Sequence, residues 1–556
     1  MRDTCTAPAE RHASPTSLSP GAVTLPTHNP AGWLAHWAEV AGDRPAIVDA
    51  ARRLDFRKFH DRVTRLAGWL RGAGVGPGDR VALLLRNATP ALESVLAVAQ
   101  IGAIGLPINW RFLPREIAFV LADSGARLVI HEAEFEATLS AASALVSKPP
   151  RKSLRVGGPG DPYEKCLAAT PPDPRIEALS PEAPMTLMYT SGTTGEPKGA
   201  LLPHRKTLYN ARNAERYFGL SPSDRVLVLT PLFHSLALKI LSLPALYTGA
   251  CIVLEDHFDA DHAWQTVERE AITFAGGVPT QYQRLLDALQ SAKARGEPPR
   301  LESLRFLFTA GAAVPAELVE RFHEYGLVLT QGYGQTETSL LCCLDEKDAR
   351  RKAGSVGQPV AHAEIRVVEP ATLEADPATW RECGTGEVGE IVVRGPITML
   401  GYWNRPAATR ETLRGEWLRT TDLATRDAEG FITLVGRVRE MIISGGENVY
   451  PAEVEAALLE HPAVREAAVV GVPDPEWGEV GRAHVVLEDG RTVDAETLRA
   501  WTLERLARFK VPRDFQFEET LPRTPSGKVM KHQLAGPLAD GSKAAKDPNE
   551  DGPHLV

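Results

Sequence analysis

The chain has no excess of positive charge: 62 Lys and Arg stand against 71 Asp and Glu, a formal charge of −9 over 556 residues. A nucleic-acid binder carries a basic field, so that class is excluded, while local basic patches for phosphates stay open. Cysteine is also scarce. Cys5, Cys166, Cys251, Cys342, Cys343 and Cys383 follow neither metal-ligand nor disulfide-framework spacing, which points to a reducing cytoplasm. Uninterrupted apolar runs of about 18 residues are missing as well. The longest apolar region, 226–254, is broken by Pro231, His234, Lys239, Pro244 and Gly249, and reads as buried core with no integral membrane association. The N-terminus has Arg2, Asp3, Glu10 and Arg11 where an export signal would need an apolar centre. No internal repeat is found.

What is present is an ordinary globular composition, 43% apolar, in a chain too long for one hydrophobic core. Residues 1–28 are rich in Pro, Ser and Thr and read as a disordered tail. From Pro30 strands alternate with helices. Residues 81–85 form an apolar strand, and Thr89 (as N-cap) with Pro90 starts a helix whose Leu92, Val95, Leu96 and Ala99 share a face. Residues 146–183 read as an irregular connector. Strands at 226–229, 251–254, 274–277 and 306–308 continue the rhythm and predict an α/β fold with a parallel sheet. Residues 355–436 become β-rich, and a change of pattern at 436–440 opens a small α+β domain. The expected organisation is a large N-terminal domain of αβ sheets plus a β subdomain (29–436), a small mobile C-terminal domain (437–535) and a disordered tail (536–556).

The most informative stretch is Tyr189-Thr190-Ser191-Gly192-Thr193-Thr194-Gly195-Glu196-Pro197-Lys198-Gly199, with three glycines, four Ser/Thr hydroxyls and one lysine. Glycine lets backbone N–H groups approach phosphate oxygens, the hydroxyls add donors and Lys198 adds a point charge. It is not a P-loop, because Glu196 and Pro197 separate Gly195 from Lys198 and no hydroxyl follows the lysine. Gly384-Thr-Gly386-Glu-Val-Gly389 matches a dinucleotide fingerprint in letters, yet it leads into the β-branched run 390–394 and reads as a turn.

The eleven-residue stretch resembles the signature loop of the adenylate-forming superfamily, which includes acyl-CoA synthetases, adenylation domains of peptide synthetases and luciferases. The resemblance extends over residues 30–535. It implies attack of a carboxylate on the α-phosphate of ATP, giving an acyl adenylate that a thiol then displaces. Anion meets polyanion in the first step, so charge neutralisation matters more than a general base. By resemblance, Thr190 to Lys198 embrace the β/γ-phosphates. Tyr333, between Gly332 and Gly334, packs on adenine, Thr336 meets the α-phosphate and Glu337 holds Mg²⁺. Gly311, Ala312 and Ala313 line the adenine pocket, and Asp422 accepts from the ribose hydroxyls with Arg437 as its partner. Lys528, in Pro522-Arg-Thr-Pro-Ser-Gly-Lys528, is similar to the mobile-domain lysine that bridges carboxylate and α-phosphate. His234 resembles the gate between acyl pocket and thiol tunnel. Rotation about a hinge at Arg439 would exchange Lys528 for the Gly445-Gly446 loop, and Trp477 and Phe509 match positions flanking the CoA nucleotide.

Three departures stand out. Thr421 replaces a glycine of the family pattern, Arg439 replaces Asp or Lys at the hinge, and Val511 occupies a place that is basic in some relatives, where Lys510 could substitute. The implied activity is that of an AMP-forming carboxylate–CoA ligase using ATP, Mg²⁺ and CoA. The alternatives are an acyl-adenylate ligase loading a carrier-protein phosphopantetheine, a member performing only thioesterification, and a non-enzymatic nucleotide binder. A homodimer is compatible with this reading. The acyl pocket is expected at 234–240, 274–280 and 332–334, mostly apolar or small, so an apolar or aromatic acid fits. Lys239 is the odd residue there; a solvated, helix-surface position is expected over pairing with a second polar group of the acid.

Overall fold

The computed structural model describes residues 25, 27–190, 197–311, 314–444, 447–475, 477–523 and 529–535. The chain divides into two compact units, residues 1–420 with 424–434, and 421–423 with 435–556.

Among the described residues, the first unit is built on three sheets. In the nine-stranded sheet the centre is parallel: Cys251–Leu254, Arg225–Val228, Phe274–Gly277, Phe306–Thr309 and Leu329–Gln335 lie side by side. Cys251–Leu254, Phe274–Gly277 and Phe306–Thr309 are buried along their whole length, as covered parallel strands are, whereas Leu329–Gln335 carries Thr330, Gln331 and Gln335. The seven-stranded sheet carries Arg80–Leu84 between Ile104–Pro107 and Leu128–Glu132, and ends in the antiparallel strands Pro184–Thr190, Lys198–Pro203 and Gly401–Tyr402. A five-stranded sheet includes Gly389–Arg394 and Trp417–Arg426. The second unit is a smaller five-stranded sheet centred on Gly478–Leu487, with the helices Pro451–Leu459 and Ala495–Leu503.

Two close approaches tighten the large sheet, one against its cover and one between neighbouring strands. A Cβ on Gly276 would meet Leu241 at 2.5 Å, and one on Gly332 would meet Phe308 at 2.8 Å. Phe308 in turn packs with Phe218 at 4.7 Å between ring centroids, and Phe274 with Phe306 at 4.8 Å, contacts worth about 1 kcal/mol each beyond area burial.

Two local expectations are corrected. Thr89 is not an N-cap: the helix runs Thr89–Gln100, Ala88 precedes it without a side-chain cap, and Thr89 donates its N–H and hydroxyl to Asp49 Oδ2 at 2.7 and 2.6 Å. A carboxylate distant in sequence does what a local cap would do. Residues 146–183 are not wholly irregular, for they contain the strand Lys152–Val156 and the helix Pro162–Ala169. That edge strand is half polar, which hides its alternation. Among the described residues no helix is long and apolar enough to cross a membrane.

Candidate active site

The phosphate stretch is the connection of a hairpin. Pro184–Thr190 pairs antiparallel with Lys198–Pro203, and Thr190 stands opposite Lys198. Ser191, Gly192, Thr193, Thr194 and Gly195 lie outside the described residues. The Thr190 hydroxyl donates to the Lys198 carbonyl at 3.4 Å, so both ends of the connection are tied together. Gly401–Tyr402 adds a third strand with Tyr402 opposite Ala200. This places the Lys198 ammonium 5.6 Å from the centre of the Tyr402 ring, while the Tyr402 hydroxyl donates to Glu337 Oε1 at 2.8 Å. Lys198 and Glu337, separated by 139 positions (337 − 198), thus meet on one side chain. Tyr402 escaped the sequence reading because no motif surrounds it; only its pairing with the phosphate hairpin reveals it.

Glu337 sits in a tight reversal between Leu329–Gln335 and Ser339–Cys343. Gln335 N–H donates to Thr338 Oγ1 and Thr338 N–H returns to the Gln335 carbonyl, both at 3.1 Å. Ser339 closes the turn at φ +62°, and a Cβ on Gly334 would fall 1.7 Å from the Ser339 carbonyl oxygen. Gly334 is therefore required by backbone contact. Thr336 and Glu337 are both half-buried, Tyr333 is buried, and Gln335 Nε2 donates to the Thr420 carbonyl at 2.8 Å.

The neighbouring strand Phe306–Thr309 leads to Gly311 at φ +91°; Ala312 and Ala313 lie outside the described residues. Thr309 and Gln331 are register partners at the carboxyl ends of parallel strands, where open α/β sheets bind ligands. Both are buried, and Thr309 Oγ1 and Gln331 Nε2 have no hydrogen-bond partner among the described residues. Orphaned polar atoms at such an edge fit a bound polar ligand or water.

His234 follows Arg225–Val228 in a loop clamped by Asn87, which accepts from Leu232 N–H at 2.7 Å and donates to the Thr230 carbonyl at 2.8 Å. The His234 ring packs on Phe233, 4.4 Å between centroids, and its buried Nε2 has no hydrogen-bond partner among the described residues. Burial and the nearby Arg111 charge push it down to about 4, so the imidazole is neutral at neutral pH. The segment Leu236–Ser242 that follows is π-helical.

Lys239 corrects the sequence expectation. It is 2% exposed, and its ammonium donates to Thr186 Oγ1 at 2.6 Å and Thr207 Oγ1 at 3.1 Å. Every side chain of 237–242 is buried, so no face of this π-helical segment reaches solvent, and burial pushes Lys239 down to about 7. Lys206 is equally buried and was not singled out by sequence.

In the second unit Asp422, 6% exposed, accepts from Arg437 Nε at 2.9 Å. Thr421 beside it adopts φ +59°. Arg439 is exposed. Trp477 and Phe509 are exposed, with the Arg513 guanidinium 5.5 Å from the Trp477 ring centre. Lys510 is engaged by Glu453 at 2.7 and 2.9 Å. Gly445, Gly446 and Lys528 lie outside the described residues.

Among the described residues no group of three or more His, Cys, Asp or Glu side chains is placed to cage a metal. The single carboxylate of Glu337, oriented by Tyr402, fits Mg²⁺ instead, which takes one or two protein carboxylates and completes its shell with phosphate oxygens and water.

A lysine at the foot of the 184–203 hairpin and an oriented carboxylate just beyond the carboxyl edge of a parallel sheet suit a phosphorylated ligand. The sequence profile described as AMP-binding enzyme matches residues 34–403, and that of the AMP-binding enzyme C-terminal domain matches 453–528. The chain is 41% identical over 503 residues to a feruloyl-CoA synthase of Amycolatopsis sp., covering 90% of this chain and 97% of that one. It is 38% identical to the indoleacetate–CoA ligase of Aromatoleum aromaticum, covering 90% and 96%. The o-succinylbenzoate CoA synthetase of Bacillus subtilis, solved with its acyl-adenylate intermediate, superposes with a TM-score of 0.78 at 32% identity, covering 90% and 97%. The chain belongs to the AMP-binding enzyme family of adenylate-forming proteins, and within it is an AMP-forming acid–thiol ligase whose substrates are ATP, a small carboxylic acid and CoA.

Proposed function

We propose that this ligase activates an apolar or aromatic carboxylic acid with MgATP, releasing pyrophosphate, and passes the acyl group from the adenylate to free CoA. The observation that carries the reading is the meeting of Lys198 and Glu337 on Tyr402, which sets a cation and an oxygen ligand beside the phosphate hairpin. Mg²⁺ held by Glu337 would supply positive charge to the triphosphate. Lys198 and the hydroxyls and N–H groups of 190–195 bind its outer phosphates. Thr336 donates to the α-phosphate, Tyr333 and the 311–313 segment receive adenine, and Asp422, held by Arg437, accepts from ribose. Lys528, on the 437–535 domain, brings its charge to the carboxylate and α-phosphate, and the Gly445-Gly446 segment replaces it once that domain turns at Arg439. Trp477 and Phe509, exposed aromatic surfaces, are available to the CoA adenine.

Neutral His234 gates the path between acyl pocket and thiol: an uncharged ring beside Phe233 can move aside without desolvating a cation. The apolar side chains of Leu236, Ala237, Leu238, Ile240 and Leu241 support an apolar acid, and the aryl acids named for the two relatives agree with that class. The five described cysteines are free, which supports a cytoplasmic setting.

The test is carboxylate-dependent pyrophosphate release from MgATP over a panel of aryl and alkyl acids, with and without CoA, for the parent and Lys528→Ala. Acid-dependent release lost in Lys528→Ala, with thioester formed only when CoA is present, is the expected result. Absence of release with every acid, together with thioester formation from a supplied acyl adenylate, would reduce the activity to the second half-reaction.

A further inference from the structure

Lys206 is 1% exposed in the helix His204–Phe218, and its side-chain nitrogen donates to the hydroxyl of Ser339. Ser339 is the residue that closes the Thr336-Glu337-Thr338 turn with φ +62°. A left-handed backbone is unfavourable for an L-residue, so the surroundings must hold it. One turn further along the helix, Asn210 Oδ1 accepts from Leu340 N–H at 3.3 Å, and its Nδ2 donates to the Lys239 carbonyl. Residues four apart share a helix face, so this one face grips two consecutive residues at the start of Ser339–Cys343.

Burial above all, with the nearby charges of Lys239 and Arg205, holds the Lys206 side chain well below the usual lysine range, against the opposing pull of the Glu337 carboxylate. A buried nitrogen of this kind needs its hydrogen-bond acceptor, and a turn that swung outward would remove Ser339 from it. The helix bearing Lys206 also follows directly on Lys198–Pro203, so the phosphate hairpin and the Glu337 turn are referred to one strand–helix unit.

We propose that Lys206 is a positioning residue for adenylation: its side-chain nitrogen, bonded to Ser339, holds the 336–338 turn so that Thr336 and Glu337 face the triphosphate. This rests on the reading of Thr336 and Glu337 given above. Lys206 touches no substrate; it acts through Ser339.

The experiment uses the full chain carrying Lys206→Met, with Ser339→Ala as a second variant that cuts the same bond from the other side. Two readouts are taken: amide hydrogen exchange across 335–341 without nucleotide, and the two half-reactions assayed separately. The expected result is exchange across 335–341 faster by about tenfold or more. KM for ATP rises about tenfold with a comparable fall in the adenylation kcat, while KM for the acid and thioester formation from a supplied acyl adenylate stay within about twofold. If Lys206→Met does not fold, Ser339→Ala decides. Unchanged exchange and an unchanged KM for ATP in a folded variant overturn the proposal, as does equal loss in both half-reactions. Should the parent release no pyrophosphate with any acid, the functional reading fails, and the exchange measurement still decides whether Lys206 holds the turn.

Discussion

Tyr402 and Glu337 are joined by a 2.8 Å hydrogen bond, phenol to carboxylate, while the Glu337 carbonyl accepts from Met399 N–H, also at 2.8 Å. Side chain and backbone of Glu337 are thus both fixed by the 399–402 segment. Tyr402→Phe removes one hydroxyl, keeps the ring beside Lys198, and frees Glu337 Oε1 of this donor. A hydrogen bond to a charged group is worth about 1.5–3 kcal/mol, so KM for MgATP rises about tenfold with little change in KM for the acid. Steady-state kinetics at varied ATP and Mg²⁺ check this, and an ATP dependence equal to the parent's refutes it.

Gly334 admits no side chain. A Cβ there would lie 1.7 Å from the Ser339 oxygen and 2.7 Å from its carbonyl carbon, both backbone atoms that cannot rotate away. Gly334→Ala must reshape the turn carrying Glu337. A misplacement of this kind costs about a hundredfold in adenylation, and at least about 2 kcal/mol of stability is lost. Pyrophosphate release and urea unfolding read the two effects; a variant with parental activity would show that the turn tolerates displacement.

The alternation of apolar strands and helices was legible because parallel strands covered on both faces leave continuous hydrophobic runs. The 189–199 and 335–337 stretches stood out in the sequence because of their unusual runs of Gly, Ser, Thr and acid, and the structure brings their described ends, Lys198 and Glu337, to Tyr402. Tyr402 and Lys206 were not legible. Each acts through a partner more than 60 positions away, and neither has a local pattern that distinguishes it from a packed tyrosine or a surface lysine. Lys239 was misplaced for a related reason: the sequence leaves the spacing of this segment open, every side chain of 237–242 is buried so no polar face marks the lysine's direction, and its acceptors Thr186 and Thr207 are distant in sequence.

Lys239 makes stability depend on pH. Its ammonium is pushed down from the usual lysine range to about 7 in the folded chain, while the unfolded chain keeps the ordinary value near 10.5. Above that ordinary value the group is neutral in both forms and burial carries no charge penalty. As pH falls towards 7 the unfolded chain takes up a proton that the folded chain resists, and stability declines; below about 7 both forms are protonated and the full penalty remains. Lys239→Met removes this contribution and is expected to stabilise the chain by about 2 kcal/mol at pH 7, with the advantage shrinking as pH rises to 10. Urea midpoints of parent and variant between pH 6 and 10 measure it, and an advantage that does not vary with pH would place the ammonium in contact with water.

Thr421 holds φ +59° immediately before Asp422, whose carboxylate accepts from Arg437 Nε at 2.9 Å. A β-branched residue is disfavoured in the left-handed region, because its Cβ and branch crowd the adjacent carbonyl, whereas glycine occupies it without strain. The backbone at 421 therefore has the conformation that a glycine would supply, and Thr421 adopts it at an energetic cost. Thr421→Gly relieves that strain but increases the freedom of the unfolded chain, two effects of opposite sign that leave a net gain of about 1 kcal/mol. If the strain serves only to present Asp422, relief leaves KM for ATP within about twofold of the parent, since glycine keeps the same backbone and the Asp422–Arg437 pair. Unfolding of the second unit, followed by the fluorescence of Trp477 and Trp501, reads the stability change. A loss of stability in Thr421→Gly would mean that contacts of the threonine side chain outweigh its backbone strain.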